Sequence, residues 1–311
     1  MGRYSHTKIE TFGCKRRGQL KYIEELEPIG ASPLALDYGS AVHVGLKALF
    51  NLYFKAAEAG DPDAALQKAF AALEKEFLEP EPPDPTGLRT MESAKGILTA
   101  VFEQWLPRYP WEDEAGEQKL SLTLPSGHIY SAILDRWGKM LGNGTILEFK
   151  TTAWPHLFTI DPNNQVVGQA AVLQANGVVN HLDVLFLLFY LHKEAKNGWI
   201  TKKRKAKGEM PEPSSIIIPR PREVSQANIE EWVESTEAKI EIIERCCEKN
   251  YFPMEEEHCG DFGGCPFKAI CTQTGKDREL IKQTAYKKID WHKTKETAKK
   301  EKAATGNGPN K

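Results

Sequence analysis

An unbroken apolar run, Val184 to Tyr190 (VLFLLFY), is the feature that most constrains this chain. It is too short to cross a bilayer, which takes about 18 or more apolar residues, and reads as a buried strand. No other stretch approaches that length, so a membrane span is excluded. The N-terminus (MGRYSHTKIETFGCKRRG) has no apolar core of the kind a secretory signal needs. Gly2 is followed by His6 where a myristoylation motif wants Ser or Thr, so the expectation is a cytoplasmic protein without lipid. With 41% hydrophobic and 27% charged residues, the chain can bury a core and is not wholly disordered.

Around that strand the periodicity predicts helices on either side of a β-rich middle. Residues 1–36 look irregular. A helix from Asp37 to about Ala59 shows Val42, Leu46, Leu49 and Phe50 on one face. Asp61-Pro62 opens a second helix to about Glu79, the Pro-rich 79–87 is a linker, and a third helix covers Thr90–Trp105. An acidic loop, Trp111–Glu117, leads into Lys119–Leu124, His128–Trp137 and Thr145–Lys150, a three-stranded antiparallel meander. A helix over Asn164–Asn176, the strand Asp183–Leu191, a short strand Ser215–Pro219 and a long helix from Gln226 to about Lys249, capped by Ser225, follow. A cysteine-rich segment, 259–271, precedes a last short helix. This order predicts an α/β core with a helical N-terminal elaboration.

Charge is unevenly placed. The net charge is −2, yet Lys276–Lys311 carries a surplus of six positive charges, leaving about −8 for the rest. Lys202, Lys203, Arg204, Lys205 and Lys207 form a second basic cluster. Either group could contact phosphates, or be a solvated charge run. Six cysteines in such a chain favour metal binding or catalysis over disulfides. Cys246 and Cys247 are adjacent on a helical pattern and cannot both face one site.

Asp135 ends one strand of the meander; Glu148 and Lys150 lie in ILEFKTT, two residues apart and so on one face, with Phe149 turned inward. The Gly142-Asn143-Gly144 turn returns this strand beside Asp135. Two carboxylates and a lysine then converge, a set that suits Mg²⁺ or Mn²⁺ and phosphate chemistry. Taken alone, an exposed edge strand with a salt bridge would show the same residues. Asp135…Glu148-Phe149-Lys150 resembles the D…(D/E)-x-K signature of the PD-(D/E)XK nuclease superfamily, with Leu134 in place of the proline. Gly39-Ser40-Ala41-Val42-His43 resembles the G-x-x-x-H element of its RecB-like branch. Gln165-Val-Val-Gly-Gln169 is similar to that branch's Q-x-x-x-Y, with Gln169 replacing tyrosine.

Cys259, Cys265 and Cys271 form a C-terminal trio with five residues in each gap, and Cys14, 245 residues before Cys259, is the candidate fourth ligand. One distant cysteine plus a trio resembles the iron–sulfur staple of RecB-like nucleases, including CRISPR-associated and phage-type exonucleases; zinc is the alternative occupant. The resemblance implies one nuclease domain over 1–290, with a restriction-endonuclease-like mixed α/β sheet. Within it, 37–105 form the helical elaboration, 117–220 the catalytic core, and Cys14 with 259–271 bind a 4Fe–4S cluster; 291–311 form a disordered basic tail. It further implies Mg²⁺ or Mn²⁺ on His43, Asp135, Glu148 and the Phe149 carbonyl. Lys150 then assists attack by water, and Gln165 helps position the substrate. Gln169, Lys202, Lys203, Arg204 and Lys205 are weaker candidates for DNA contact; Glu117 is a weaker candidate acid, with a plain solvated charge as the alternative reading. The function so implied is DNA cleavage in recombination, repair or processing, in a bacterial cytoplasm or, for a phage enzyme, its host's. DNA is the partner, with oligomerisation and partner proteins left open. A DNA-binding or assembly module that cleaves poorly is the alternative.

Overall fold

The computed structural model describes residues 2–29, 34–77, 84, 87–109, 111–153, 155–178, 182–191 and 216–289. The basic cluster at 202–207, most of the Pro-rich linker and the tail after 289 lie outside the described residues. No helix among the described residues is long and apolar enough to cross a membrane.

Residues 2–29, expected to be irregular, are not. They form β1 (Arg3–Tyr4), α1 (His6–Thr11), α2 (Lys15–Gly18), a π-helical turn (Gln19–Ile23) and β2 (Leu26–Pro28). Each element is too short for a period to show. Next come α3 (Leu34–Glu58), α4 (Asp63–Glu76) and α5 (Met91–Ala100). Thr90 starts α5 with a reciprocal cap: its Oγ1 accepts from Ser93 N–H and Ser93 Oγ accepts from Thr90 N–H, both at 3.1 Å. The α-helix stops at Ala100, short of the expected Trp105, because Val101–Trp105 widens into a π-helical turn.

The β-rich middle differs from a simple meander. It contains β3 (Trp111–Ala115), where a loop was expected, then β4 (Gln118–Thr123), β5 (Ile129–Leu134), β6 (Arg136–Met140) and β7 (Asn143–Thr152). The stretch expected as one strand, His128–Trp137, breaks at Asp135. Before the break, β5 lies in a three-stranded sheet ordered β1-β5-β4; after it, β6 lies in a five-stranded sheet ordered β3-β6-β7-β8-β9. Helix α6 (Asn164–Ala175) links β7 to its parallel neighbour β8 (Leu182–Tyr190), the crossover that parallel pairing requires. β9 (Ile216–Val224) runs past the expected end at Pro219. Pro219 and Pro221 are tolerated because β9 is an edge strand among the described residues. The chain continues through α7 (Gln226–Glu248), a 3₁₀ segment (Glu256–Gly263), α8 (Lys268–Cys271), α9 (Gly275–Ala285) and β10 (Tyr286–Lys288), which pairs antiparallel with β2.

The chain divides into two compact units: 1–6 with 31–237, and 7–30 with 238–311. The first contains both of the larger sheets. One face of its five-stranded sheet, through Leu147, Phe149, Leu185, Leu187 and Phe189, packs on α3, α4 and α5. Each such side chain, fully buried, contributes about 1.5–3 kcal/mol. Gly45 lets α3 approach its neighbours: a Cβ there would lie 2.8 Å from Leu98 and 3.2 Å from Leu73. The second unit has a smaller core of Leu20, Leu26, Phe267, Ile270 and Tyr286.

Candidate active site

The switch between sheets builds the site. β6 and β7 pair through Arg136 and Leu147. One residue earlier the strands part, and the side chain of Asp135 takes over: its Oδ2 accepts the Phe149 N–H at 2.9 Å. Alternation along β7 turns Phe149 into the helical core and Glu148 and Lys150 to the other face, as the sequence predicts.

Side chains from three elements close around this point. From α3, His43 Nδ1 lies 3.2 Å from Asp135 Oδ1, and its Nε2 lies 3.0 Å from the Phe149 carbonyl oxygen. From β7, Lys150 Nζ donates to Glu148 Oε1 at 2.6 Å. From α6, Gln165 Nε2 donates to Glu148 Oε1 at 2.7 Å while its Oε1 lies 3.4 Å from Lys150 Nζ. One helical turn on, Gln169 Nε2 donates to Glu148 Oε2 at 2.9 Å. Asn163 caps α6 by accepting from Gln165 N–H, and Arg222 of β9 donates to the Asn163 carbonyl, which fixes where the two glutamines project.

The electrostatics follow from this packing. Burial alone would lower the His43 pKa, but the hydrogen bond and charge of Asp135, with the charge of Glu148, hold it above the ordinary imidazole value. Burial would raise Asp135; His43, the Phe149 N–H and Lys150 outweigh it and keep this carboxyl below the usual range. Glu148, 2% exposed, is pushed up by burial and then by the Asp135 charge, against the pull of Lys150 and Gln169. Burial would lower Lys150, yet Glu148 and Asp135 hold its ammonium above the ordinary lysine value. The buried Glu148 carboxylate and the largely covered Asp135 carboxylate thus repel each other within reach of an imidazole and a carbonyl, an oxygen-rich donor set whose repulsion a divalent cation relieves. Among the described residues no three His, Cys, Asp or Glu side chains already close on one ion-sized point. In this arrangement His43 is paired with Asp135 and Glu148 with Lys150.

His43, Asp135, Glu148, Phe149, Lys150 and Gln165 therefore all meet at one place. Glu117 is half-exposed and pairs with Lys47 at 3.3 Å. Gln169 is corrected: expected to touch DNA, it is 1% exposed behind Glu148. The spacing of Gln165 and Gln169, four residues apart on one helix face, was the signal for this shared role. Lys202, Lys203, Arg204 and Lys205 lie outside the described residues.

All four of Cys14, Cys259, Cys265 and Cys271 fall in the second unit, and none of the six cysteines forms a disulfide. Cys14 is buried at the start of α2, and Cys265 N–H donates to the Cys259 carbonyl at 2.9 Å. Burial pushes the Cys265 and Cys271 thiols up, and each is raised further by Cys14 and Cys259, so the four lie within electrostatic reach of one another.

A mixed sheet carrying Asp…Glu-x-Lys at a strand divergence, with helices on it, defines a restriction-endonuclease-like α/β fold. The chain belongs to the PD-(D/E)XK nuclease superfamily, whose family model matches residues 3–272. It is also similar to the crystal structure of a candidate exonuclease from Eubacterium rectale, with 13% identity and a TM-score of 0.49 over 90% of this chain and 92% of that one. SSO0001 gives 10% identity and a TM-score of 0.30 over 85% and 96%. No curated protein matches in sequence.

Proposed function

We propose that this protein is a divalent-metal-dependent DNA nuclease that hydrolyses phosphodiester bonds, an exonuclease in its mode of action. The observation that carries the reading is the convergence of His43, Asp135, Glu148, Lys150 and Gln165 at the β5–β6 switch. Asp135, Glu148, the Phe149 carbonyl and His43 are the groups that would hold Mg²⁺ or Mn²⁺. Such an ion, when bound, lowers the pKa of water and stabilises charge on phosphate oxygens. Lys150 keeps its proton, so its part is electrostatic: the ammonium holds water by hydrogen bonding and offsets negative charge that grows on the phosphate. Gln165 bridges Lys150 and Glu148 and keeps the ammonium pointed along the strand face. Asp135 orients His43 through Nδ1, leaving Nε2 beside the Phe149 oxygen.

Cys14, Cys259, Cys265 and Cys271 supply the four thiolates that a 4Fe–4S cluster takes, and their spacing lacks the paired C-x2–4-C knuckles usual at zinc. Cys265 and Cys271 lie within electrostatic reach of Cys14 and Cys259. The role is structural, tying the chain near residue 14 to the 259–271 segment within the second unit. The test of the nuclease reading is cleavage of end-labelled single- and double-stranded DNA with Mg²⁺, Mn²⁺ or neither. Metal-dependent product is expected, and product equally abundant without metal would refute it.

A further inference from the structure

Gln169, on α6 behind Glu148, turns one amide nitrogen to two acceptors. Its Nε2 lies 2.9 Å from Glu148 Oε2 and 3.1 Å from the carbonyl oxygen of Ile133. Both neighbours are acceptors, so the amide nitrogen with its two hydrogens must face them; the flipped amide would set oxygen against oxygen. That orientation leaves Gln169 Oε1 buried with no hydrogen-bond partner among the described residues. A buried polar atom without a partner is costly, so the nitrogen's two bonds are the reason the side chain sits this way.

The two acceptors lie on either side of the sheet switch. Ile133 belongs to β5 in the three-stranded sheet, two residues before Asp135; Glu148 belongs to β7 in the five-stranded sheet. One amide thus ties β5, two residues before Asp135, to the Glu148 carboxylate. Lys150 and Gln165 both approach Glu148 at Oε1, while Oε2 is engaged by Gln169. Without that bond the carboxylate can turn about its last torsion, which is soft for glutamate.

We propose that Gln169 is a positioning residue of the metal centre: by bridging Ile133 and Glu148 it fixes the direction of the Glu148 carboxylate and its offset from Asp135, so that both present oxygens to one divalent ion. This rests on the reading of Asp135 and Glu148 as ligands.

The experiment is Mn²⁺ binding to the full-length protein without DNA, followed by calorimetry, with the metal-free Tm measured on the same samples. Gln169→Met has nearly the shape of glutamine and lacks both donors; leaving Glu148 Oε2 and the Ile133 carbonyl unpaired should lower the metal-free Tm, an effect partly offset by removal of the partnerless oxygen. Groups that orient metal ligands from behind typically account for about 10–100-fold in affinity, and the Mn²⁺ Kd should rise by that order. Gln169→Asn keeps an amide that is one methylene too short to span both acceptors. It should weaken Mn²⁺ in the same direction, and it serves where Met does not fold. A folded variant with unchanged Mn²⁺ affinity, or a fall in Tm with no change in Kd, overturns the proposal and leaves the nuclease reading standing. A parent protein that binds no Mn²⁺ overturns both.

Discussion

The backbone N–H of Phe149 is held at 2.9 Å by Oδ2 of Asp135, a side-chain oxygen standing just beyond the last β6–β7 ladder pair, Arg136 with Leu147. The same carboxylate turns its Oδ1 to His43. One residue therefore ends a strand pair and orients the imidazole. The two duties can be separated. Asp135→Asn retains an oxygen for the Phe149 N–H, whereas Asp135→Ala leaves that N–H in a part-buried site without it. Urea unfolding of the metal-free proteins should find Ala less stable than Asn by about 1–3 kcal/mol. Both should lose cleavage. Equal stabilities would show that the backbone bond contributes nothing.

The fit of α6 on the sheet gives a second prediction. A Cβ at Gly168 would fall 2.5 Å from the Tyr130 hydroxyl and 2.8 Å from the Trp232 ring, and those rings pack edge-to-face on each other at 4.8 Å. Neither can yield easily. Gly168→Ala should cost about 1–3 kcal/mol, the usual range for overpacking. Because Gln165 and Gln169 flank this position on α6, cleavage should also fall at temperatures where the variant is fully folded. A variant as stable and active as the parent would mean that α6 shifts without consequence.

Tyr38, on the buried face of α3, provides a pH signature. Burial pushes its phenol well above the ordinary value, against the hydrogen bond with Ser93. A group that binds its proton more tightly when folded contributes stability fully present below the unfolded pKa of about 10, and loses it as pH rises beyond. Between about pH 9 and 11 the parent should lose stability faster than Tyr38→Phe, in chemical denaturation at matched salt. Parallel curves would contradict the burial.

Much of this architecture was legible. The Val184–Tyr190 run reads as β8 because an uninterrupted apolar strand must be covered on both faces. Glu148 and Lys150 share a face because strand period is two, and Phe149 enters the core for the same reason. The switch at Asp135 was not legible: HIYSAILDRW carries no turn residue at the break, burial alternates straight through it, and the Phe149 N–H bond marks where one sheet ends. β3 was hidden because WEDEA is an edge strand with a charged sequence, and the end of β9 was set too early because its two prolines imitate a stop. Gln169 was misread because helix spacing pairs it with Gln165 but does not name their common partner, a carboxylate 21 residues from Gln169.

The four clustered thiols lead to a spectroscopic prediction. Anaerobically purified protein should be brown, with broad absorption near ~400 nm from thiolate-to-iron charge transfer. Cys14→Ala should lose iron as completely as Cys265→Ala, while Cys246→Ala and Cys247→Ala retain it. Full iron content in Cys14→Ala would remove the distant fourth ligand.

The most direct measurement is single-turnover cleavage of end-labelled DNA across an Mn²⁺ titration, with the parent, Glu148→Ala and Lys150→Ala side by side. Glu148→Ala removes a hard oxygen ligand, so both metal affinity and rate should fall. Lys150→Ala should lower the rate by orders of magnitude at every Mn²⁺ concentration, since added metal does not replace an ammonium. Parent cleavage that persists in EDTA, or a Glu148→Ala protein close to full activity, would contradict the account and leave a DNA-binding module on a nuclease fold.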